Sequence, residues 1–319
     1  MPTLVEILQI ICLIPIISGC IYLILSVWTI RNFFRKTTTE INATEKFQPP
    51  VTVLKPIRGI EKNLKSNLHT ITIQDWPEYQ VIYSIQDPQD SALPILDELQ
   101  AEVDNQKISV VIDNKQAGAN GKVNNLLGAI AQARHQIIII SDSDTNLKPD
   151  YIKNIISPLS NPNVGAVCTL FKVKSAYRWF EKMELLTINA DFIPSVIFAA
   201  VTGASNACLG PSIAISRSTL QELGGLESLA DYLVEDYELG RRVWTSGKKM
   251  VLLPYTIDVT VELKDVEGFQ SLYLLPLRDT FGLMFWFLAL TKRTVVWRGV
   301  KYKLVDHGKM VPVSKGVGN

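Results

Sequence analysis

Ile137-Ile138-Ile139-Ile140-Ser141-Asp142-Ser143-Asp144 sets four β-branched apolar residues directly before an Asp-x-Asp turn. A short apolar run bounded by turn formers reads as a strand buried on both faces, the kind found in parallel sheets. The pattern repeats upstream. Val51–Leu54, Val81–Ile85 and Ile108–Ile112 are runs of strand length, separated by helical spacing around Leu64, Leu68 and Ile71, by Ala92–Val103 and by Lys122–Ala133. Downstream come the amphipathic Tyr151–Leu159 and the strand-like Val164–Phe171. Strands alternating with helices predict an α/β fold, Rossmann-like, with a mainly parallel sheet and helices on both faces. No internal repeat or low-complexity stretch interrupts it.

In such sheets the ligand crevice lies beyond the carboxyl ends of the strands, so the residues after each apolar run carry the chemistry. Lys55-Pro56 follows the first run, Gln86-Asp87-Pro88-Gln89-Asp90 the second, and the Asp142/Asp144 turn the fourth. Two carboxylates in a tight turn can hold a hard divalent cation and leave positions open for a diphosphate. Asp and Ser at a strand end also serve as plain turn or cap residues. The loop Gly118-Ala119-Asn120-Gly121-Lys122-Val123-Asn124-Asn125 leads into a helix whose first amides and lysine favour an anion, although its glycine spacing is not that of a Walker loop. An ordinary glycine-containing connection reads the same way. Glu235-Asp236-Tyr237-Glu238-Leu239-Gly240-Arg241-Arg242 places acids at a helix start, after the pair Gly224-Gly225; they can supply a general base, or only cap the helix and pair with the arginines.

Composition narrows the class. Among 319 residues, 47% are apolar and 20% charged, below the roughly 25% of an average globular chain. Mean hydropathy is +0.15, which excludes a disordered polar protein and points to membrane contact. A net charge of +1 gives no basis for a nucleic-acid partner. Cys12, Cys20, Cys168 and Cys208 have neither zinc spacing nor the density of a disulfide scaffold, so they are expected as buried reduced thiols. His69, His135 and His307 have no ligand-spaced neighbour and receive no catalytic role.

Ile7–Ile30 contains 24 residues without a charge, about 36 Å as a helix against a hydrocarbon core of about 30 Å. Without a basic stretch before it, the segment reads as an uncleaved transmembrane anchor rather than a signal peptide. Arg31, Arg35 and Lys36 follow it, so the positive-inside rule puts the large remainder of the chain in the cytoplasm. The expected organisation is an anchor over 1–36, a linker over 37–50, a catalytic domain over 51–265, and an apolar membrane-apposed segment with a basic tail over 266–319. The segment 179–200 reads either as membrane- or lipid-facing or as a core helix interrupted at Pro194. In Leu272–Leu290, Arg278 and Asp279 near the middle argue against a full span.

The ordered motifs LKPIRG, QDPQD, GANGKVNN, SDSD and EDYELGRRV resemble those of family 2 and family 21 glycosyltransferases of GT-A fold, most closely the ceramide glucosyltransferase-like group that includes hopanoid-associated bacterial members. The likeness runs from about Pro50 to about Leu263 and resumes at Trp297-Arg298-Gly299-Val300-Lys301-Tyr302-Lys303. It implies inverting transfer from a nucleotide-sugar donor, a UDP-sugar, to a lipid hydroxyl at the membrane surface, with Mg²⁺ or Mn²⁺ as cofactor. It further implies that Lys55 and Pro56 line the nucleotide pocket, Asp87 and Asp90 contact the base and ribose, and Lys122 and Asn124 lie near the donor. Asp142 and Asp144 would serve the metal and diphosphate, with Asp144 the direct ligand. Asp236 would remove the acceptor proton, with Glu235 beside it. The family's Q/R-x-x-R-W signature has no counterpart after Val261-Glu262-Leu263. The alternative that follows is a catalytically silent, donor-binding partner of an intact relative.

Overall fold

A computed structural model describes residues 3–40, 47–103, 107–174, 179–204, 208–260, 273–291, 293–297 and 300–313. The chain opens with α1 (Leu4–Glu40), then alternates β1 (Val51–Pro56), α2 (Leu64–Thr70), β2 (Tyr79–Ile85), α3 (Leu93–Glu102), β3 (Ile108–Ile112), α4 (Gly121–Gln132), β4 (Ile137–Ser141) and β5 (Thr145–Asn146). It continues through α5 (Tyr151–Ile156), β6 (Val164–Val173), α6 (Trp179–Thr187), α7 (Ile193–Thr202), β7 (Ser212–Ser216), α8 (Arg217–Glu222), α9 (Glu235–Thr245) and β8 (Lys249–Val259). After α10 (Leu275–Thr291) come β9 (Thr294–Trp297), β10 (Val300–Leu304) and β11 (Met310–Pro312).

Eight strands form one sheet in the order β3-β2-β1-β4-β7-β6-β8-β5. The β3-β2-β1-β4 half is parallel, as the sequence predicts, while β7 runs antiparallel to both β4 and β6 and makes the sheet mixed. Strand pleating sends successive side chains to opposite faces. Val51, Val53, Val81, Tyr83, Ile137 and Ile139 accordingly pack with α2, α3 and α5 in one core. Leu54, Ile82, Ile138 and Ile140 pack with α4, α8 and α9 in the other. Both cores are closed to water, which is why these strands read as continuous apolar runs rather than as alternation.

The first helix, α1, is longer than the apolar segment suggests and enters the expected linker, ending at Glu40; residues 41–46 lie outside the described residues. Among the described residues two helical stretches are long and apolar enough to cross a membrane, Ile16–Arg35 and Glu181–Thr202. They touch: the Tyr22 hydroxyl and Ser195 Oγ are hydrogen-bonded at 2.9 Å, and the Tyr22 and Phe198 rings meet edge-on. Pro194 does not interrupt the second stretch. A π turn over Ile188–Phe192 joins α6 to α7, and that looser register absorbs the missing proline N–H at the start of α7. Cys168 and Cys208 are buried as expected, whereas Cys20 is exposed on α1.

The described part of the expected basic tail forms strands. β9, β10 and β11 form a separate antiparallel sheet, and Met310 N–H donates to Asp231 O at 2.8 Å while Leu233 N–H donates to Gly308 O at 3.2 Å. The tail therefore rests on the loop leading into α9. On α10, Arg278 pairs with its neighbour Asp279 and reaches Leu186 O on α6, so the two charges are matched to each other. Residues 261–272, where the Q/R-x-x-R-W signature is missing, and Arg298 and Gly299 of the tail motif lie outside the described residues.

Candidate active site

The turn after β4 is built around a buried lysine. Lys55, in the centre of the sheet, donates through Nζ to Asp142 O at 2.7 Å and to Thr145 Oγ1 at 2.8 Å. Burial lowers its pKa to about 8, against the raising pull of Asp144, Asp142 and Glu61. The amine is thus spent on holding the Asp-x-Asp turn. Pro56 ends the same strand, buried, where β1 lies beside β2. Asp144 sits next to this cation; its Oδ1 is buried with no hydrogen-bond partner among the described residues. Burial, then Asp142 and Glu61, push the Asp144 carboxyl up to about 7, with Lys55 opposing. A buried carboxylate oxygen without a donor suits a hard cation. Among the described residues no cluster of three His, Cys, Asp or Glu side chains could hold a metal unaided.

The helix starts of α4 and α9 meet over that turn. Asn120 caps α4, its Oδ1 accepting from Lys122 N–H and Val123 N–H, while its Nδ2 donates to Tyr232 O and to Glu235 Oε2 at 2.9 Å. Lys122 Nζ then lies 2.7 Å from Asp142 Oδ1 and 3.1 Å from Glu235 Oε1. Burial would lower the Lys122 pKa, but Asp142 and Glu235 together hold it above the ordinary lysine range. Asp236, the next residue of α9, has its pKa raised by burial first and Glu235 second, with Lys122 pulling the other way. A carboxylate in that state is a stronger base than one in water. Behind it, the buried Glu238 accepts from Arg241 Nε at 2.7 Å and from Arg242 Nε at 2.8 Å. Arg242 also donates to Ser228 Oγ and to Leu223 O, tying α9 to the Gly224-Gly225 turn, where φ of +98° and +71° requires glycine.

Beyond the carboxyl ends of β1, β2 and β3 lies an open cleft of about 320 Å³, lined among others by Arg58, Asp87, Asp90, Asn114, Gln116 and Asn125. Asp87 Oδ1 accepts from Gln89 N–H in a local turn. Asp90 takes Gly59 N–H on both oxygens and Ala92 N–H on one, so it fixes the loop after β1 to the start of α3.

The structure thus brings together Lys55, Lys122, Asp142, Asp144, Glu235 and Asp236, and sets Asp87 and Asp90 in the adjoining cleft. Asn124 turns away from that group: its Oδ1 accepts from Ala117 and Gly118 N–H, and its Nδ2 donates to Gly118 O, so it shapes its own loop. Sequence reasoning passed over Asn120 and Asn125. An asparagine just ahead of a predicted helix is an N-cap signal and could have found Asn120, two residues before the expected start at Lys122 and directly before the observed one at Gly121. Nothing in the sequence marks Asn125, whose Nδ2 reaches across to Ile57 O.

A family model described as glycosyl transferase family 21 matches the chain over two overlapping stretches, residues 11–271 and 255–310. Ceramide glucosyltransferase 1 of Caenorhabditis elegans is 27% identical over 208 residues, 64% of this chain and 44% of the relative. The ceramide glucosyltransferase of Candida albicans is 31% identical over 134 residues, 38% of this chain and 25% of the relative. The matched stretch therefore spans less than half of either relative. A mannosyltransferase from Pyrobaculum calidifontis, solved with GDP-mannose and Mn²⁺, is 18% identical with a TM-score of 0.49, covering 75% of this chain and 67% of that one. At that level the likeness bears on neither substrate nor metal.

Proposed function

The chain belongs to glycosyl transferase family 21, and from that premise we propose that it is a membrane-anchored inverting glycosyltransferase of GT-A type that moves a sugar from a UDP donor to a lipid hydroxyl. The observation that carries this reading is Lys122, whose ammonium joins Asp142 of the strand-end turn to Glu235 at the start of α9. That bridge sets the acidic Asp142–Asp144 turn, suited to a cation, and a basic carboxylate, Asp236, on one site.

Each residue then has a role. The cleft beside Asp87 takes the nucleotide, with Asp90 holding its rim through Gly59 and Ala92. Lys55 and Lys122 keep the Asp142–Asp144 turn in place and balance its charge. Asp144, with Asp142 beside it, would hold a Mg²⁺ or Mn²⁺, which when bound would supply positive charge to balance that of a departing diphosphate. The unpartnered Asp144 Oδ1 fits such an ion, and since no cluster of three acidic, His or Cys side chains surrounds it among the described residues, further ligands would have to come from outside the protein. Asp236 accepts the proton of the attacking lipid hydroxyl. Glu235, spent on Lys122 and Asn120, holds α9 so that Asp236 faces the site. The anchor α1 and the apolar α7 packed on it keep the domain at the bilayer, with the domain on the side of Arg31 and Arg35.

The test is transfer of labelled sugar from UDP-sugars to lipid by the full chain in detergent. A labelled lipid that disappears in Asp236→Asn supports the reading. UDP binding without transfer under all donors and lipids would replace it by a silent donor-binding protein.

A further inference from the structure

Gly210 stands where the acceptor side of the site meets the donor side. A Cβ built on it would lie 2.6 Å from Asp236 Oδ2 and 3.2 Å from Asp236 Cγ, so the carboxylate of the proposed base rests on bare backbone. That backbone is tied on both sides of the glycine. Lys122 Nζ donates to Gly210 O at 3.4 Å, and Asp142 N–H donates to Pro211 O at 3.1 Å. Ser212, one residue on, is paired with Ser141 in the sheet, and Cys208 and Leu209 are buried in the core before it. A side chain at 210 would therefore displace the carboxylate of Asp236, the end of a short, half-buried side chain, rather than the strand. Gly210 φ is not in the left-handed region, so a side chain brings no backbone strain of its own.

We infer that Gly210 is a positioning residue for Asp236: its missing side chain is the seat that fixes the carboxylate toward the acceptor while the adjoining carbonyls tie that seat to Lys122 and Asp142. This rests on the reading of Asp236 as the acceptor base. It makes the segment Gly210-Pro211 the junction through which base, lysine and Asp-x-Asp turn share one reference frame. Because only the base moves, donor binding is separable from turnover.

Four full-length proteins test it: wild type, Gly210→Ala, Asp236→Asn and the double variant, each assayed for transfer and for UDP affinity by calorimetry. Gly210→Ala is expected to lower kcat by about 100-fold with UDP affinity and donor KM within about threefold of wild type. In the Asp236→Asn background the same substitution should cost less than about threefold, since the group it displaces is already inactive. A general structural role would cost the same factor in both backgrounds, and that result, or loss of UDP binding in Gly210→Ala, overturns the inference. Wild-type turnover in Gly210→Ala overturns it while leaving the proposed function standing; a wild type that transfers nothing overturns both.

Discussion

Replacing Lys122 by Met keeps the length of the side chain and removes the one charge that joins the two halves of the site. The Lys122, Asp142 and Glu235 side chains retain 25%, 27% and 16% of their exposure, so the three are largely but not wholly desolvated. Truncating one partner of a buried ion pair costs about 3–5 kcal/mol, because the remaining charges are stranded. Residual access to water reduces that to about 2–3 kcal/mol. At about 2–4 °C per kcal/mol for a domain of this size, Lys122→Met should melt about 5–10 °C below wild type. The pH sign follows from the direction of the shift: a lysine whose folded pKa is raised above 10.5 contributes stability that is fully present below that value and is lost only as pH rises through the folded pKa. The gap between wild type and variant should therefore stay level from about pH 7 to about pH 9. Detergent-solubilised protein followed by circular dichroism gives the melting points. A variant melting within about 2 °C of wild type would mean that the bridge is not what holds α9 against the Asp-x-Asp turn.

Other substitutions probe other parts. Glu238→Gln strands Arg241 and Arg242 on a carboxamide and should destabilise by about 3 kcal/mol, read as a fall in melting temperature. Because Arg241 above all holds the Glu238 pKa below 4.5, its contribution is present above that value and fades as pH falls through the lowered one, so the two proteins should converge in strong acid. Lys55→Met removes the buried ammonium that donates to Asp142 O and Thr145 Oγ1, leaving Asp142 O only the Thr145 hydroxyl, and should weaken metal-dependent UDP binding by about tenfold in calorimetry. Asp236→Asn should lower transfer by about 100-fold or more while sparing UDP binding. With the Asp236 pKa raised by burial and Glu235, the acid limb of the wild-type pH–rate profile should lie above 3.8, since the base works only when deprotonated; an acid limb at or below that value would remove Asp236 from the role.

The parallel half of the sheet was legible because burial on both faces leaves no choice of residue: Val81–Ile85 and Ile137–Ile140 could be nothing but core strands. β7 and β8 were not read as strands, and nothing in Ser212-Ile213-Ala214-Ile215-Ser216 tells that it runs antiparallel to β4. β9 to β11 escaped notice because they are short and largely exposed, and only pairing with one another and with the Asp231 loop makes them strands. In the site, the acids after the strands and at the start of α9 stood out by position. Their division of labour did not. Sequence cannot tell that the Lys55 amine points into the sheet, that Asp90 binds backbone on both sides, or that Glu235 is occupied while Asp236 rests on Gly210; those are facts about direction, set by packing between residues 26 to 115 apart in the chain.

The central claim is that the convergence of Asp142, Lys122 and Asp236 is a transfer site and not merely a nucleotide site. The most direct measurement is mass-spectrometric detection of glycosylated lipid after incubating the full chain in mixed lipid micelles with UDP-sugars and Mn²⁺, with Asp236→Asn as its pair. The account predicts a product one sugar heavier than an acceptor lipid from the wild type and a loss of about 100-fold in the variant. No product from the wild type, or equal product from both, would contradict it.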